Sequence, residues 1–261
     1  MIRLKRRIGV VFDERKDNAC QLALEVDNWS KERGYEVFNY QSWEKLGKEL
    51  DFILTFGGDG LVLHTANKIA NQGLLIPLAR VNFGKVGFMS NIEPEEVFEK
   101  LNKLLNDNYI ITNRTRIEAE VNSKANQDTI KADALNDIVI ERIQTRPISV
   151  QVIINKIEEI ERLGDGIIFS TRTGSSAYNR SAGGPILVKE DKFVITIVSP
   201  VDLEKSSYFV RPADSVLQVN KIKGDARIVI DGDELLKMSK DDVVTIRKSP
   251  QNTLFIEFGS I

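Results

Sequence analysis

Gly57-Gly58-Asp59-Gly60 stands between a continuous apolar run, Asp51 to Phe56 (DFILTF), and a stretch from Leu61 to Asn71 whose pattern is helical. Glycines at a strand-to-helix turn let the backbone come close to a ligand and expose its N–H groups, and the start of a helix favours a phosphate. Asp59 adds a carboxylate, which beside bound phosphate can hold Mg²⁺ or take a proton from an attacking hydroxyl. The plainer reading of the same residues is a glycine turn with Asp59 as the helix N-cap. No Gly-Lys-Ser/Thr follows, so this is not a Walker A loop.

A second chemistry-bearing stretch is Leu163 to Leu187, LGDGIIFSTRTGSSAYNRSAGGPIL. Asp165-Gly166 precedes a short apolar strand. A hydroxyl-rich turn follows, Thr171, Thr173, Gly174, Ser175 and Ser176, then Ala177-Tyr178-Asn179-Arg180 and a small-residue turn from Ser181 to Pro185. So many small polar residues in a row are not expected to be mainly core. Their hydroxyls and N–H groups suit a polyhydroxylated or phosphorylated ligand, and Tyr178 can cover an aromatic base. The alternative is a long ordered loop of Ser and Gly turns. Asn136-Asp137, at the start of the run Ile138 to Ile140, offers an amide that can donate to and accept from an adenine edge and a carboxylate for ribose hydroxyls; alone it also fits a plain turn. Asn82-Phe83-Gly84-Lys85-Val86-Gly87-Phe88 is a glycine loop after a strand, on the same side of the sheet as Gly57 to Gly60. Asp231-Gly232-Asp233-Glu234 by itself is a hairpin turn.

These motifs need elements to carry them. Arg7 to Phe12 forms a strand, Asn18 to Arg33 an amphipathic helix through Leu22, Val26 and Trp29, and Gly34 its left-handed C-cap. Tyr35 to Phe38, Asp51 to Phe56 and Leu75 to Val81 follow as strands. A further helix opens at Pro94 and ends near Asp107, with Val97, Leu101, Leu104 and Leu105 on one face. Beyond about residue 110 the helical period fades, and short β-rich runs take over at Ile117 to Val121, Ile138 to Ile140, Ile148 to Ile154, Gly166 to Ser170, Phe193 to Val198, Val216 to Val219 and Ala226 to Ile230. The pattern implies an α/β N-terminal domain with a parallel sheet, residues 1–112, and a β-rich C-terminal domain, 113–245. The closing segment, about 246–261, is free to return to the first. A cleft between the two is the expected place for a ligand.

Composition narrows the partners. The 261 residues carry 36 Lys plus Arg against 38 Asp plus Glu, a formal net charge of −2, so no basic field marks a nucleic-acid binder. Cys20 is the single cysteine and His64 the single histidine, which excludes an internal disulfide and a Cys/His zinc cluster. A reducing, cytoplasmic setting follows. The apolar run from Ile8 to Phe12 is too short for a signal core, and no stretch approaches the roughly 20 apolar residues of a membrane helix.

Taken in order and spacing, Gly57-Gly58-Asp59-Gly60, Asn82-x-Gly-x-Val-Gly-Phe, Asn136-Asp137, the block from Asp165 to Pro185, and Asp231-Gly232 resemble the NAD kinase family from about residue 7 onward. The first block is shared with diacylglycerol, sphingosine and 6-phosphofructokinases; the long block selects NAD kinase among them. The resemblance implies transfer of the γ-phosphoryl of ATP, with polyphosphate left open as donor, to the 2′-hydroxyl of the adenosine ribose of NAD, giving NADP. It implies Asp59 as proton acceptor. The NAD- and ATP-binding set would comprise Gly57, Gly58, Gly60, Asn136, Asp137, Asp165, Thr173, Ser176, Ala177, Tyr178, Asn179, Arg180, Ser181, Asp231 and Asp233. His64 and Arg146 match basic contacts of the family, although a lone histidine on a helix is as often simply solvated. Mg²⁺ would be held mainly by phosphates, with Asp59 as the candidate protein ligand, and the chain would self-associate as a homodimer or homotetramer.

This chain departs from the family's usual GGDGT, TPTGSTAY and DGQ. Leu61 replaces a hydroxyl residue after Gly60, Arg172 a proline, Ser176 a threonine, Asp233 a glutamine, and Asp137 stands one methylene shorter than the usual glutamate. A lipid or sphingoid-base kinase built on the same glycine turn, and a catalytically weak NAD(P)-binding sensor, are the competing functions.

Overall fold

The computed structural model describes residues 6–39, 50–85, 87–123, 128–239 and 241–259. Met1 to Lys5 and Val86 of the Asn82 loop lie outside the described residues. The chain forms two compact units, residues 1–113 with 252–261, and 114–251.

In the first unit, β1 (Arg7–Phe12), α1 (Asp17–Glu32), β2 (Glu36–Asn39), β3 (Phe52–Gly57), α2 (Asp59–Asn71) and β4 (Leu78–Asn82) build a parallel sheet in the order β2-β1-β3-β4. Strands covered on both faces need continuous apolar runs, and β3 is buried along its whole length. Ile8, Val10, Phe52, Leu54, Phe56, Ala79 and Val81 share one core with Ala19, Ala23 and Val26 of α1, and with Val97, Leu101 and Leu104 of α3 (Val97–Leu105). Each large side chain buried there contributes about 1.5 to 3 kcal/mol. Gly34 takes φ +81° after α1, as a left-handed cap requires. The strand expected from Leu75 begins only at Leu78: Leu75 is exposed, and Pro77 has no N–H for a ladder. α3 stops at Leu105, ahead of Asp107, which lies at φ +58°.

β5 (Ile110–Ser123) leads into the second unit, followed by β6 (Asp128–Ala134), β7 (Asp137–Arg142), β8 (Ile148–Ile154), β9 (Glu158–Gly164), β10 (Gly166–Ser170), the one-turn helix α4 (Tyr178–Ser181), β11 (Lys192–Val198), β12 (Tyr208–Pro212), β13 (Leu217–Lys223), β14 (Ala226–Ile230), β15 (Asp233–Met238) and β16 (Val243–Glu257). One antiparallel sheet runs β12-β11-β10-β7-β14-β15. β16, β13, β8 and β9 pair antiparallel in that order, and β5 pairs with β6. Ile138, Ile140, Ile167, Phe169, Phe193 and Ile195 share a core with Val150, Val152, Leu217, Val219, Val244 and Ile246, so inward-facing residues of both strand sets fill one interior. β6, β9, β12 and β15 add strands where the sequence pattern shows none.

Candidate active site

In the first unit, β1 connects outward to β2 while β3 connects the other way to β4, so the carboxyl ends of β1 and β3 mark the point where strand order reverses. Open α/β sheets bind ligands there. A cleft of about 610 Å³ lies at that point, lined by Val11 to Lys16 from the end of β1 and by Gly58, Gly60, Leu61 and His64 around the start of α2.

Asp59 is the first residue of α2, and Gly58 takes the N-cap position with no side-chain cap. The aspartate is therefore not the cap of its own helix. Its Oδ2 accepts the N–H of Phe88 and its Oδ1 that of Met89, both at 3.0 Å. Those bonds aim the carboxylate while leaving further lone pairs on each oxygen. The Asn82 loop is thus the support of the Gly57–Gly60 turn: Phe83 N–H donates to the Gly57 carbonyl at 2.9 Å, and Asn82 Oδ1 accepts the Gly84 N–H at 3.0 Å. The loops touch so closely that a Cβ on Gly84 would stand 3.1 Å from the Gly58 Cα. Gly60 faces open space, and Leu61 packs beneath Gly57, where a Cβ would meet its side chain at 2.6 Å. His64 is exposed on α2 beside the cleft.

In the second unit the chain turns sharply at Leu135-Asn136-Asp137 before β7. The Asp231 carboxylate accepts the N–H groups of Leu135, Asn136 and Asp137 at 2.8, 2.7 and 3.1 Å. From the other side, Thr171 Oγ1 donates to the Leu135 carbonyl at 2.6 Å and Thr171 N–H to the Asn136 carbonyl at 2.9 Å. Asn136 and Asp137 are buried, and the Asn136 Oδ1 has no hydrogen-bond partner. A buried carbonyl oxygen left so needs a donor, from water or from a ligand. Burial, reinforced by the neighbouring Asp231 charge, pushes the Asp137 carboxyl up to about 7.

Tyr178 begins α4 and is 38% exposed. Its hydroxyl pKa is raised, first by burial and then by the carboxylates of Glu141, Asp137 and Asp165. Asp165 is paired with Arg142, Nε to Oδ1 at 2.7 Å. The Thr173 hydroxyl is buried without a partner, and Ser176 Oγ donates to the Thr173 carbonyl at 3.3 Å. Ala177 is half-buried, Arg180 and Ser181 are exposed on α4, Arg146 is exposed between β7 and β8, and Asp233 is exposed at the start of β15.

The expectation that the hydroxyl-rich run mainly faces a ligand needs correction. Ser170, Thr171, Ser175 and Asn179 are buried and bonded within the protein. Ser175 Oγ donates to the Arg172 carbonyl and accepts the Leu187 N–H. The Asn179 amide donates to the carbonyls of Ser175 and Pro185 and accepts from Thr196. Small residues serve here because backbone segments pass close to one another; Thr173, Ser176 and Ala177 are half-buried, and Tyr178, Arg180 and Ser181 are exposed. The hairpin turn expected over Asp231 to Glu234 narrows to Asp231-Gly232, with φ +50° and +93°, while Asp233 and Glu234 already belong to β15; the sequence gives no sign of the three N–H groups the Asp231 side chain gathers.

The ATP-NAD kinase N-terminal domain family matches residues 39–109 and the ATP-NAD kinase C-terminal domain family residues 105–258. An NAD kinase of Caldanaerobacter subterraneus is 33% identical over 97% of this chain and 94% of its own length. This chain belongs to the NAD kinase family. With membership comes the family's enzyme activity, the phosphorylation of NAD. Among solved structures, an NAD kinase from Archaeoglobus fulgidus in complex with ATP superposes with a TM-score of 0.78 at 25% identity, covering 97% of this chain and 94% of that one. Yeast NADH kinase complexed with NADH shares the fold, with a TM-score of 0.83 at 17% identity over 98% of this chain and 84% of that chain.

Within this NAD kinase fold, the departures from the family pattern are absorbed locally. Arg172 is paired with Glu190 at 2.8 Å, a carboxylate it shares with Arg114 at 3.3 Å. Leu61 fills the space under Gly57. The residues missed at the sequence level are Asp13, Arg15, Lys16 and Arg142. Arg15 is bonded to Asp13 at 2.8 and 3.0 Å, which lowers the Asp13 pKa, and Lys16 Nζ donates to the Phe83 carbonyl, tying the end of β1 to the Asn82 loop. The one available signal was the polar break Asp13 to Lys16 straight after a buried strand.

Proposed function

We propose that this chain transfers the γ-phosphoryl group of ATP to the 2′-hydroxyl of the adenosine ribose of NAD, giving ADP and NADP. The observation that carries this is Asp59: a carboxylate at a helix start, aimed by two backbone N–H groups, beside a cleft with cationic side chains. Phosphoryl transfer asks little covalent chemistry of the protein, so placement and charge compensation dominate. Asp59 takes the proton of the attacking hydroxyl. Gly58, Gly60 and the N-terminus of α2 approach the donor phosphates, with Arg15, Lys16 and His64 contributing positive charge or hydrogen bonds at the same cleft. The second unit is the dinucleotide-binding one. Asn136 reads the adenine edge, Asp137 and Asp165 face ribose hydroxyls, and Thr173, Ser176, Ala177 and Tyr178 line the base.

Among the described residues no group of three or more His, Cys, Asp or Glu side chains forms a metal site. That donor set fits a cation brought in with the nucleotide, which needs only one or two protein carboxylates; Asp59 would be its protein ligand. Mg²⁺ so bound would neutralise charge on the phosphates. No helix among the described residues is long and apolar enough to cross a membrane. A cytoplasmic enzyme that self-associates as a homodimer or homotetramer completes the reading.

Incubation with γ-labelled ATP, Mg²⁺ and NAD, 2′-deoxy-NAD, diacylglycerol or sphingosine tests it. Label is expected in NADP alone, and Asp59→Asn should lower kcat by about 100-fold or more, the usual worth of a general base, with NAD affinity kept within a few-fold. Label in a lipid, or an Asp59→Asn variant with more than a tenth of the wild-type rate, ends the respective assignment. NAD binding without turnover makes the chain a sensor.

A further inference from the structure

The carboxylate of Asp231 gathers three backbone N–H groups of a single turn. Both of its oxygens are occupied by backbone: Oδ1 by the N–H groups of Asn136 and Asp137, Oδ2 by that of Leu135. Its own N–H donates to the Asp137 carbonyl at 3.0 Å. Four bonds therefore join one residue to one turn, across 95 positions of sequence between Asn136 and Asp231. On the opposite side, Thr171 holds the carbonyls of Leu135 and Asn136. Gly174 closes the third side, since a Cβ there would collide with the Asn136 backbone. With its backbone held from three directions, Asn136 has only its amide left to engage a ligand, and the Oδ1 of that amide is buried and unpartnered.

We infer that Asp231 is a positioning residue for dinucleotide recognition: it gathers the three N–H groups of the Leu135–Asp137 turn and thereby aims the Asn136 amide, without itself touching NAD. This rests on the assignment of Asn136 to the adenine. The pKa of Asp137 is raised first by its burial and then by the Asp231 charge, so a second carboxylate placed there adds to the cost of the turn. An apolar hairpin tip would avoid it but could not hold three converging N–H groups. Asp231 can do so because it sits at the first position of the β14–β15 turn at φ +50°, and because β14 pairs with β7 so that Ile230 stands opposite Ile138.

The test uses the full chain and two readouts, steady-state kinetics and NAD binding by calorimetry. Asp231→Asn keeps the shape of the side chain but turns an NH₂ toward at least one donor. The NAD KM and Kd are expected to rise about 10-fold, the loss of roughly one charge-assisted hydrogen bond, while kcat and the ATP KM stay within about 2-fold. Asn136→Ala should raise the NAD KM by a similar factor, and the double variant should be no worse than Asn136→Ala alone, because Asp231 acts through that amide. Additive effects in the double variant, or an unchanged NAD KM in folded Asp231→Asn, overturn the inference while leaving the kinase reading intact. If Asp231→Asn does not fold, Asp231→Ser, which keeps one oxygen acceptor in less volume, is read by the same criteria. A wild type that neither binds NAD nor forms NADP overturns both.

Discussion

Gly174→Ala is the change with the largest expected effect for the fewest atoms. Gly174 does not lie in the left-handed region, so a methyl group costs nothing in backbone conformation; its cost is contact. The added Cβ would stand 2.6 Å from the Asn136 Cα and closer still to its carbonyl, all backbone atoms with no rotamer to escape by. Ordinary contact begins at 3.4 Å and the carbonyl oxygen would stand at 2.1 Å, so relieving that contact takes a separation of about 1.3 Å. Overpacking of that kind costs about 1 to 3 kcal/mol where side chains can yield. Here the displaced segment also carries the bonds to Asp231 and Thr171, so we expect about 3 kcal/mol or more, roughly 6 to 12 °C in Tm for a chain of this size. The NAD Kd should rise with it, since the Asn136 amide moves with its backbone. Differential scanning calorimetry and NAD titration measure the two. Gly183→Ala is the control: φ +86° but nothing within 4 Å, so a purely conformational cost of about 1 kcal/mol and no change in Kd are expected. A Gly174→Ala variant that melts within 1 °C of wild type (on the order of a few tenths of a kcal/mol) and binds NAD equally well would refute the reasoning.

Three further outcomes follow from the same geometry. Tyr178→Ala should raise the NAD KM roughly 10-fold, the worth of about 1 to 1.5 kcal/mol of aromatic contact, and an unchanged KM would return the ring to a packing role. Asp137 is raised from 3.8 to about 7 in the folded chain, so the folded state binds its proton more tightly than the unfolded one; the resulting stability is full below about pH 4 and is lost as pH rises to about 7. Tm should fall across that interval, and Asp137→Asn should flatten the fall; equal slopes in both proteins would contradict the assignment. Gly60→Ala places a better helix former in open space within α2, so Tm should hold or rise slightly, while the methyl group projecting toward the cleft raises the ATP KM several-fold.

What the sequence made legible is what local physics determines. DFILTF can only be a strand covered on both faces, and glycines between it and a helical period can only be a turn. β9 was not legible because it is an edge strand reading EEIERLG, in which Ile160 is the one apolar side chain turned fully inward. β6 and β15 are obscured likewise by charges on their solvent faces. Thr171, Ser175 and Asn179 resemble ligand-facing residues in sequence, since a hydroxyl or amide that bonds to a nearby backbone looks the same as one that bonds to a ribose. The reversal point at β1 and β3 depends on strand order, and the grip of Asp231 on Asn136 depends on β14 pairing with β7. Neither has a local signature.

The chain passes between its two compact units twice, once within β5 and once within β16, so the unit that carries Asp59 is made of two separated pieces of sequence. Phe255 is the residue that pairs with Leu78 of β4, and Asn91 donates to the Ile256 carbonyl across 165 residues. On the ribosome, therefore, the flank of β4 stays uncovered until the whole unit 114–251 has been synthesised. The unit that carries Asp59 is begun before the other and completed after it, and a nascent chain interrupted before residue 252 presents an open parallel edge to any strand nearby.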